Sequence, residues 1–153
     1  MKKYLIKSKI FFKLYLIYFA LKYKFFTNKK SYSQFGEDMV IQNYFGDFIG
    51  TYVDLGCFHP IKYSNTALLH KKGWKGFNID LNETSIKLFD VCRKDDINLV
   101  ACLSDKNEEV QVYIDSEFSA LNSMHPVNAE RFNISHIKKK NCKNSNFFRS
   151  YKR

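Results

Sequence analysis

The residues of this 153-residue chain that could do chemistry stand at turns after apolar runs. Asp54 and Gly56 end the run GTYVDLG over 50–56, and Asp80 ends the run GFNID over 76–80. Gly56 allows the backbone to approach a ligand closely, because it has no Cβ. Asp80 follows Gly56 by 24 residues, which is about the spacing at which an acid after a second strand accepts the hydroxyls of a ribose. The pair predicts a nucleoside-binding site.

Asp54 distinguishes between two kinds of nucleoside cofactor. A dinucleotide would place its pyrophosphate over the first turn, where a carboxylate repels it. The GxGxxG pattern is also absent, because positions 58 and 60 are Phe and Pro. S-adenosylmethionine has no phosphate and carries a sulfonium and an ammonium, which a carboxylate attracts. The turn therefore favours a cationic nucleoside. The alternative is that Asp54 and Asp80 only form a turn and cap a helix.

The elements that must position these acids alternate between strand and helix. The patterning predicts strands over 50–56, 76–80, 97–103 and 109–114, and helices over 33–46, between Ser64 and Gly73, and over 82–93. The last strand alternates strictly, with Val110, Val112 and Ile114 facing inward. Alternating strands and helices predict an α/β fold with a right-handed parallel sheet, whose ligands bind at the carboxyl ends of the strands.

The net charge of +10 is not spread evenly along the chain. Residues 1–30 hold nine lysines and no acid, and residues 131–153 hold eight lysines or arginines and no acid. Residues 31–130 hold eight basic and fifteen acidic side chains. Because the positive charge lies in the two ends, a basic groove in the folded part is not expected, and nucleic acid is not a predicted partner.

The four cysteines stand at positions 57, 92, 102 and 142. They form no CxxC pair and have no metal-like spacing with the four histidines. Scattered thiols of this kind predict reduced, mostly buried residues of a cytoplasmic protein, and no metal site.

The N-terminal segment, residues 1–30, is rich in lysine and aromatic residues. Its longest uninterrupted apolar run, from Leu14 to Leu21, has eight residues, whereas a membrane-spanning helix needs about 20. No small-residue cleavage site follows, so a secretory signal is not predicted. Two interpretations stay open. The segment either binds an anionic membrane surface, peripherally on the inner face of the membrane, or forms a helix that packs on the domain or a neighbour.

Four blocks of the sequence, in this order, resemble the FkbM-type family of S-adenosylmethionine-dependent methyltransferases. They are SYSQFGED (31–38), YVDLGCFHPIKYSNT (52–66), KKGWKGFNIDLN (71–82) and NLVACLSD (98–105). The resemblance covers about residues 31–115. It implies the Rossmann-like class I methyltransferase fold, S-adenosylmethionine as cofactor, and methyl transfer to a hydroxyl of a sugar or natural product.

The resemblance also implies where parts of the cofactor would lie. Asp54 and Gly56 would line the methionine end, and Asp80 would bind the ribose. Ser104 and Asp105, after the third strand, would lie near the adenine.

Two further roles concern the methyl-transfer side. Gln34, Gly36 and Glu37 would belong to the segment that closes over the cofactor, again by resemblance. His59 could relay a proton from the acceptor hydroxyl, since the pKa of histidine lies near neutrality. The alternative is that His59 only hydrogen-bonds its own loop.

The sequence after Ile114 lacks what the family leads us to expect. A class I methyltransferase sheet has seven strands with the first in the middle, and in this family the next apolar strand ends beside the acceptor. Residues 116–153 are instead basic and polar. We therefore interpret 31–115 as an S-adenosylmethionine-binding half-domain, truncated after the third parallel strand and one extra strand.

Two expectations follow from that interpretation. Methyltransferase activity of this chain should be low, and the first strand should have an open edge that pairs with a second copy or another chain. The alternative function is a non-catalytic S-adenosylmethionine-binding or interaction module derived from the same fold.

Overall fold

The computed structural model describes residues 9–26, 30–104, 108–116, 119, 122, 124 and 126–144. Its elements in chain order are α1 (Lys9–Phe26), α2 (Glu37–Phe45), β1 (Thr51–Leu55), α3 (Ala67–Lys71), β2 (Lys75–Asp80), α4 (Glu83–Cys92), β3 (Ile97–Val100), β4 (Cys102–Ser104), β5 (Glu108–Tyr113), α5 (Pro126–Arg131) and β6 (Ile137–Asn144). Among the helices of this described part, none is long and apolar enough to cross a membrane.

The first sheet confirms the predicted α/β class in its coarse form. It has three parallel strands in the order β1-β2-β3. Asp54 lies in register with Asn78, and Asn78 in register with Asn98. β1 is therefore at an edge, and its outer side meets no other strand of the described part of the chain.

Helices pack on one face of this sheet, and the opposite face is exposed along β1. On one face Tyr52 packs with Leu69 of α3 and with Trp74, and α4 contacts β2 and β3 on the sheet. On the other face Val53 and Leu55 are exposed at the edge. The helices predicted between the strands thus cover one face, and the apolar side chains of β1 on the opposite face contact solvent.

The predicted strand over 97–103 is wrong as a single element. It divides into β3, which continues the parallel sheet, and β4, which belongs to a second sheet with the order β4-β6-β5. The chain changes sheets at Ala101, whose N–H donates a 3.0 Å hydrogen bond to the carbonyl of Asp80. The break follows from the length of β2, because β2 ends at Asp80 and offers no further partner.

The C-terminal segment contains more structure than its composition predicts. β6, which reads IKKKNCKN, pairs in parallel with β4 and antiparallel with β5, so it lies in the middle of the second sheet. The half-buried strand over 109–114 is confirmed as β5, with Val112 fully buried. A lysine-rich strand was missed because its pairing partners, rather than its own pattern, define it.

Glycines end helices where the sequence predicts. Gly46 follows α2 with φ +54° and Gly73 follows α3 with φ +96°, both in the region that glycine adopts without strain. The helix predicted over 33–46 begins later, at Glu37, because Ser31 and Ser33 turn back to donate hydrogen bonds of 2.5 and 2.6 Å to Asp38.

The cysteines differ from the sequence-based expectation at one position. Within the described part of the chain, Cys57 and Cys92 form no disulfide. Cys102, on β4, is disulfide-bonded, and its backbone lies in register with Cys142 of β6. The expectation that all four thiols are reduced is therefore wrong for Cys102.

Candidate functional site

A cavity of about 320 Å³ lies at the carboxyl ends of the parallel strands. Gly56 and Phe58 line it from the turn after β1, Asp80 from the end of β2, and Ala101 from the turn after β3. Its volume is near the low end of small-molecule sites, which span about 300–1,000 Å³. The carboxyl ends of the parallel strands, where the alternation predicts that ligands bind, therefore border a cavity.

The turn after β1 depends on Gly56. Its φ is +70°, where a side chain would be strained, and its N–H donates a 2.8 Å hydrogen bond to the carbonyl of Ile79. No heavy atom lies within 4 Å of the position that a Cβ would take. The backbone of Gly56 is thus fixed to β2 while the space beside it stays open to a ligand.

Asp80 holds the two sides of the cavity together. One carboxylate oxygen accepts a 2.9 Å hydrogen bond from the N–H of Phe58, and the other accepts a 2.8 Å bond from the N–H of Asn82. Burial raises the pKa of Asp80, against the lowering effect of these amides, and the nearby Asp54 adds to the rise. A carboxylate offers about four acceptor positions, so lone pairs remain for ribose hydroxyls.

The rest of the lining is mainly apolar and carries no cation among its described residues. Leu81, Ala101, Leu103 and Met124 supply apolar surface, and none of the described lining residues carries a positive charge. Among the described lining residues, Asp80 is the one with an acidic side chain. The hydroxyls of a ribose and a positively charged group both suit the acceptor Asp80, and Asn82, Ser85, Ser119 and Asn122 add neutral polar groups, whereas a pyrophosphate would meet a carboxylate and no cation of the described lining.

Asp54 is not part of the cavity lining. Its carboxylate accepts a 2.6 Å hydrogen bond from the hydroxyl of Thr66, on the face of the sheet that α3 and α4 cover. Burial raises the pKa of Asp54, while the Thr66 hydroxyl and Arg93 lower it. The structure therefore places Asp54 behind the turn, where it acts on the cavity through its field on Asp80.

The segment 34–37 also lies apart from the cavity. Gln34 is exposed, Gly36 has φ +92° at the start of α2, and Glu37 accepts a 2.8 Å hydrogen bond from the N–H of Phe35. The organising residue of this segment is Asp38, which the sequence analysis missed. The sequence does contain a signal for Asp38. It stands three positions before Ile41, so the helical period places this acid on the same side of the helix as an apolar residue.

The predicted adenine-side residues can be placed only in part. Ser104 ends β4, and its backbone lies in register with Asn144. Its neighbour Asp105 lies outside the described residues. The cavity reaches β4, because Leu103 lines it.

His59 is buried beside the cavity rather than in it. Its Nδ1 accepts hydrogen bonds of 3.0 and 2.9 Å from the N–H groups of Ile61 and Lys62, and its ring lies 5.5 Å from that of Phe19. Burial lowers its pKa to about 3, and the positive charges of Lys62 and Arg93 act in the same direction. This is the arrangement of a residue that braces its own loop, the alternative that the sequence leaves open.

The residue that organises the region behind the cavity is Arg93, which the sequence analysis passed over. Its guanidinium donates hydrogen bonds of 2.6 Å to the carbonyl of Pro60, 3.0 Å to Ser64, 2.8 Å to Thr66 and 3.0 Å to the hydroxyl of Tyr52. Arg93 is only 2% exposed. We call this set of contacts the Arg93 network.

A buried acid, Asp96, is linked to the Arg93 network through Tyr52 and Asn78. Asp96 accepts hydrogen bonds of 2.5 Å from Tyr52 and 3.0 Å from Asn78. A sequence signal for Arg93 exists, because it stands four positions after Phe89, on the apolar stripe of α4 where a solvated arginine is not expected. The network fixes the loop that follows Gly56 to β1, β2 and the end of α4.

Comparisons of the chain with protein-family models, with curated proteins and with solved structures found no match.

Proposed function

We propose that this chain binds S-adenosylmethionine in the cavity at the strand ends and is the cofactor-binding part of a methyltransferase of the FkbM type. The observation that carries the proposal is the position of Asp80, an acid at the end of the second parallel strand facing a cavity whose other wall is the Gly56 turn. Its acceptor would be a hydroxyl of a sugar or natural product.

The chain's own residues have three tasks in this proposal. Asp80 accepts the ribose hydroxyls while the N–H groups of Phe58 and Asn82 hold it in place. The open space beside Gly56 admits the methionine end. Leu81 and Met124 contact the adenine through their apolar surface. When bound, the cofactor supplies an electrophilic methyl group next to a positively charged sulfur.

The experiment is calorimetric titration of the full chain with S-adenosylmethionine, its demethylated product S-adenosylhomocysteine, and NAD. We expect binding of the first two and none of NAD. Asp80→Asn should weaken binding by about 1–3 kcal/mol, because an amide leaves ribose hydroxyls poorly paired. Thermal unfolding of the variant shows whether the Phe58 and Asn82 bonds survive.

The matched control is Asp47→Asn. Asp47 is exposed and precedes β1, at the opposite end of the strands from the cavity. This variant should bind the cofactor as the wild type does. Equal affinities of wild type and Asp80→Asn, or binding of NAD at the affinity of S-adenosylmethionine, would contradict the proposal.

A second candidate is a non-catalytic module that binds S-adenosylmethionine without transferring its methyl group. One observation favours it: His59, the predicted base, does not line the cavity and has a pKa of about 3. Release of S-adenosylhomocysteine in the presence of a panel of sugar hydroxyl acceptors separates the two candidates. Turnover supports the enzyme, and binding without turnover supports the module.

A further inference from the structure

The helix α1 has two apolar faces. On its inner face Leu16 is buried against Leu88 of α4, and Phe12 and Phe19 pack beside it. At 100° per residue, four other apolar residues of α1 lie within an arc of about 80° on the opposite side. These are Ile10, Leu14, Tyr18 and Leu21, and all four are exposed, Ile10 at 72% and Tyr18 at 60%.

This outer stripe continues at its border with Phe11, which is also exposed. It is therefore a row of five large apolar side chains on a helix whose other face is already used for packing. A row of this kind, in contact with solvent along the helix, marks an interaction surface rather than scattered exposed residues.

Positive charge flanks the stripe on both sides. On the helical projection Lys22 stands just past one border and Lys13 past the other, and both are exposed. The sequence of α1, KIFFKLYLIYFALKYKFF, contains no acid, and the first acid of the whole chain is Glu37. An apolar stripe with lysines at its borders is the pattern of helices that lie in the plane of a membrane surface.

The geometry points to α1 as a membrane-surface helix that docks on anionic lipid through Ile10, Leu14, Tyr18 and Leu21. Lysine ammonium groups complement phosphate headgroups, whereas a second copy of the same face would bring lysine against lysine. The packing of Leu16 on Leu88 keeps the inner face on the domain, so the helix lies flat on the bilayer. This inference is independent of the cofactor site.

The experiment is sedimentation of the full chain with vesicles of phosphatidylcholine alone and of phosphatidylcholine with one quarter phosphatidylglycerol. We expect binding to the anionic vesicles that fades as salt is raised. Leu14→Glu and Leu21→Glu should each lower the partition coefficient at least about tenfold, the loss of one buried leucine. Lys13→Gln and Lys22→Gln should each lower it about fivefold.

The matched control is Val40→Glu on α2, where Val40 is 70% exposed and lies outside α1. Circular dichroism confirms that each variant keeps its fold. Equal effects of Leu14→Glu and Val40→Glu, or binding to neutral vesicles as strong as to anionic ones, would overturn the inference. A dimer in light scattering that Leu14→Glu dissociates would also overturn it, because the stripe would then be a self-interface.

Discussion

Arg93 donates a 2.6 Å hydrogen bond to the backbone carbonyl of Pro60, across 33 residues of sequence. By this bond the end of α4 holds the loop that follows the Gly56 turn, so one buried cation fixes the wall of the cavity. The neighbouring contacts to Ser64 and Thr66 hold the same loop at two more points.

Replacing Arg93 should destabilise the fold strongly. Arg93→Met leaves the carbonyl of Pro60 and the hydroxyls of Ser64 and Thr66 buried without their donor, and each buried acceptor left in this way costs about 1–3 kcal/mol. Arg93→Lys should also lose stability, because an ammonium cannot reproduce the planar fork of donors that reaches Pro60 and Ser64. The measurement is urea unfolding followed by circular dichroism.

Lys94→Met is the matched control for this prediction. Lys94 is the next residue, and it is exposed. Its replacement should change the free energy of unfolding by less than about 0.5 kcal/mol. An Arg93→Met variant as stable as Lys94→Met would show that the Arg93 network contributes little.

His59 should make the protein less stable in acid. Its pKa is about 3 in the native state, below the ordinary histidine value of 6.5. As pH falls below that value, the unfolded chain binds a proton that the native state does not, so the free energy of unfolding falls. Between pH 7 and pH 5 the loss is about 2 kcal/mol.

The test compares urea unfolding of wild type and His59→Asn at both pH values. An asparagine oxygen can accept hydrogen bonds from Ile61 and Lys62 but does not titrate. The variant should therefore lose about 2 kcal/mol less than the wild type on acidification. The same loss in both proteins would mean that other groups, such as His70 with its lowered pKa, control the acid response.

Asp38 should stabilise the segment before α2 through its charge. The residue is fully buried; burial opposes ionisation, but hydrogen bonds from Ser31, Ser33 and the Tyr32 amide lower its pKa. Asp38→Asn should cost about 1.5–3 kcal/mol, because the amide nitrogen cannot accept these bonds. The contribution is present above the unfolded carboxyl pKa and disappears as pH falls through the lowered native value.

Urea unfolding of Asp38→Asn at pH 7 measures this contribution to the free energy of unfolding, and the exposed Asp47→Asn is the matched control. The ΔG difference between the two variants should be close to the whole effect of Asp38→Asn. If both variants are as stable as the wild type, the prediction is wrong, and water satisfies the hydroxyls of Ser31 and Ser33 as well as the Asp38 carboxylate does.

The edge of β1 should mediate self-association. β1 has no strand on its outer side in the described part of the chain, and Val53 is 56% exposed there. A second copy can pair with the same edge antiparallel about a two-fold axis, since each copy then offers the same donors and acceptors. Light scattering of the full chain should show a dimer that Val53→Lys weakens.

Val127→Lys, at an exposed position of α5, is the control for charge alone. It should leave the dimer intact. A monomer at all concentrations would refute the prediction, and equal weakening by both variants would mean that added charge, rather than the β1 edge, disrupts the contact.

Local chemistry determined much of this protein from its sequence. The Gly56 turn, the helix ends at Gly46 and Gly73, and the position of Asp80 at a strand end all follow from φ preferences and periodicity within a few residues. The parallel direction of β1, β2 and β3 follows from the alternation of strands and helices. These features need no knowledge of distant contacts.

The tertiary structure decided the features that depend on distant partners. Asp54 turns from the cavity to Thr66, Arg93 reaches Pro60, and β6 forms a strand because β4 and β5 lie on either side of it. The packing of Leu16 on Leu88 determines which face of α1 is the outer one. A side chain's partner far along the chain is fixed by packing and charge in three dimensions, which spacing along the sequence does not encode.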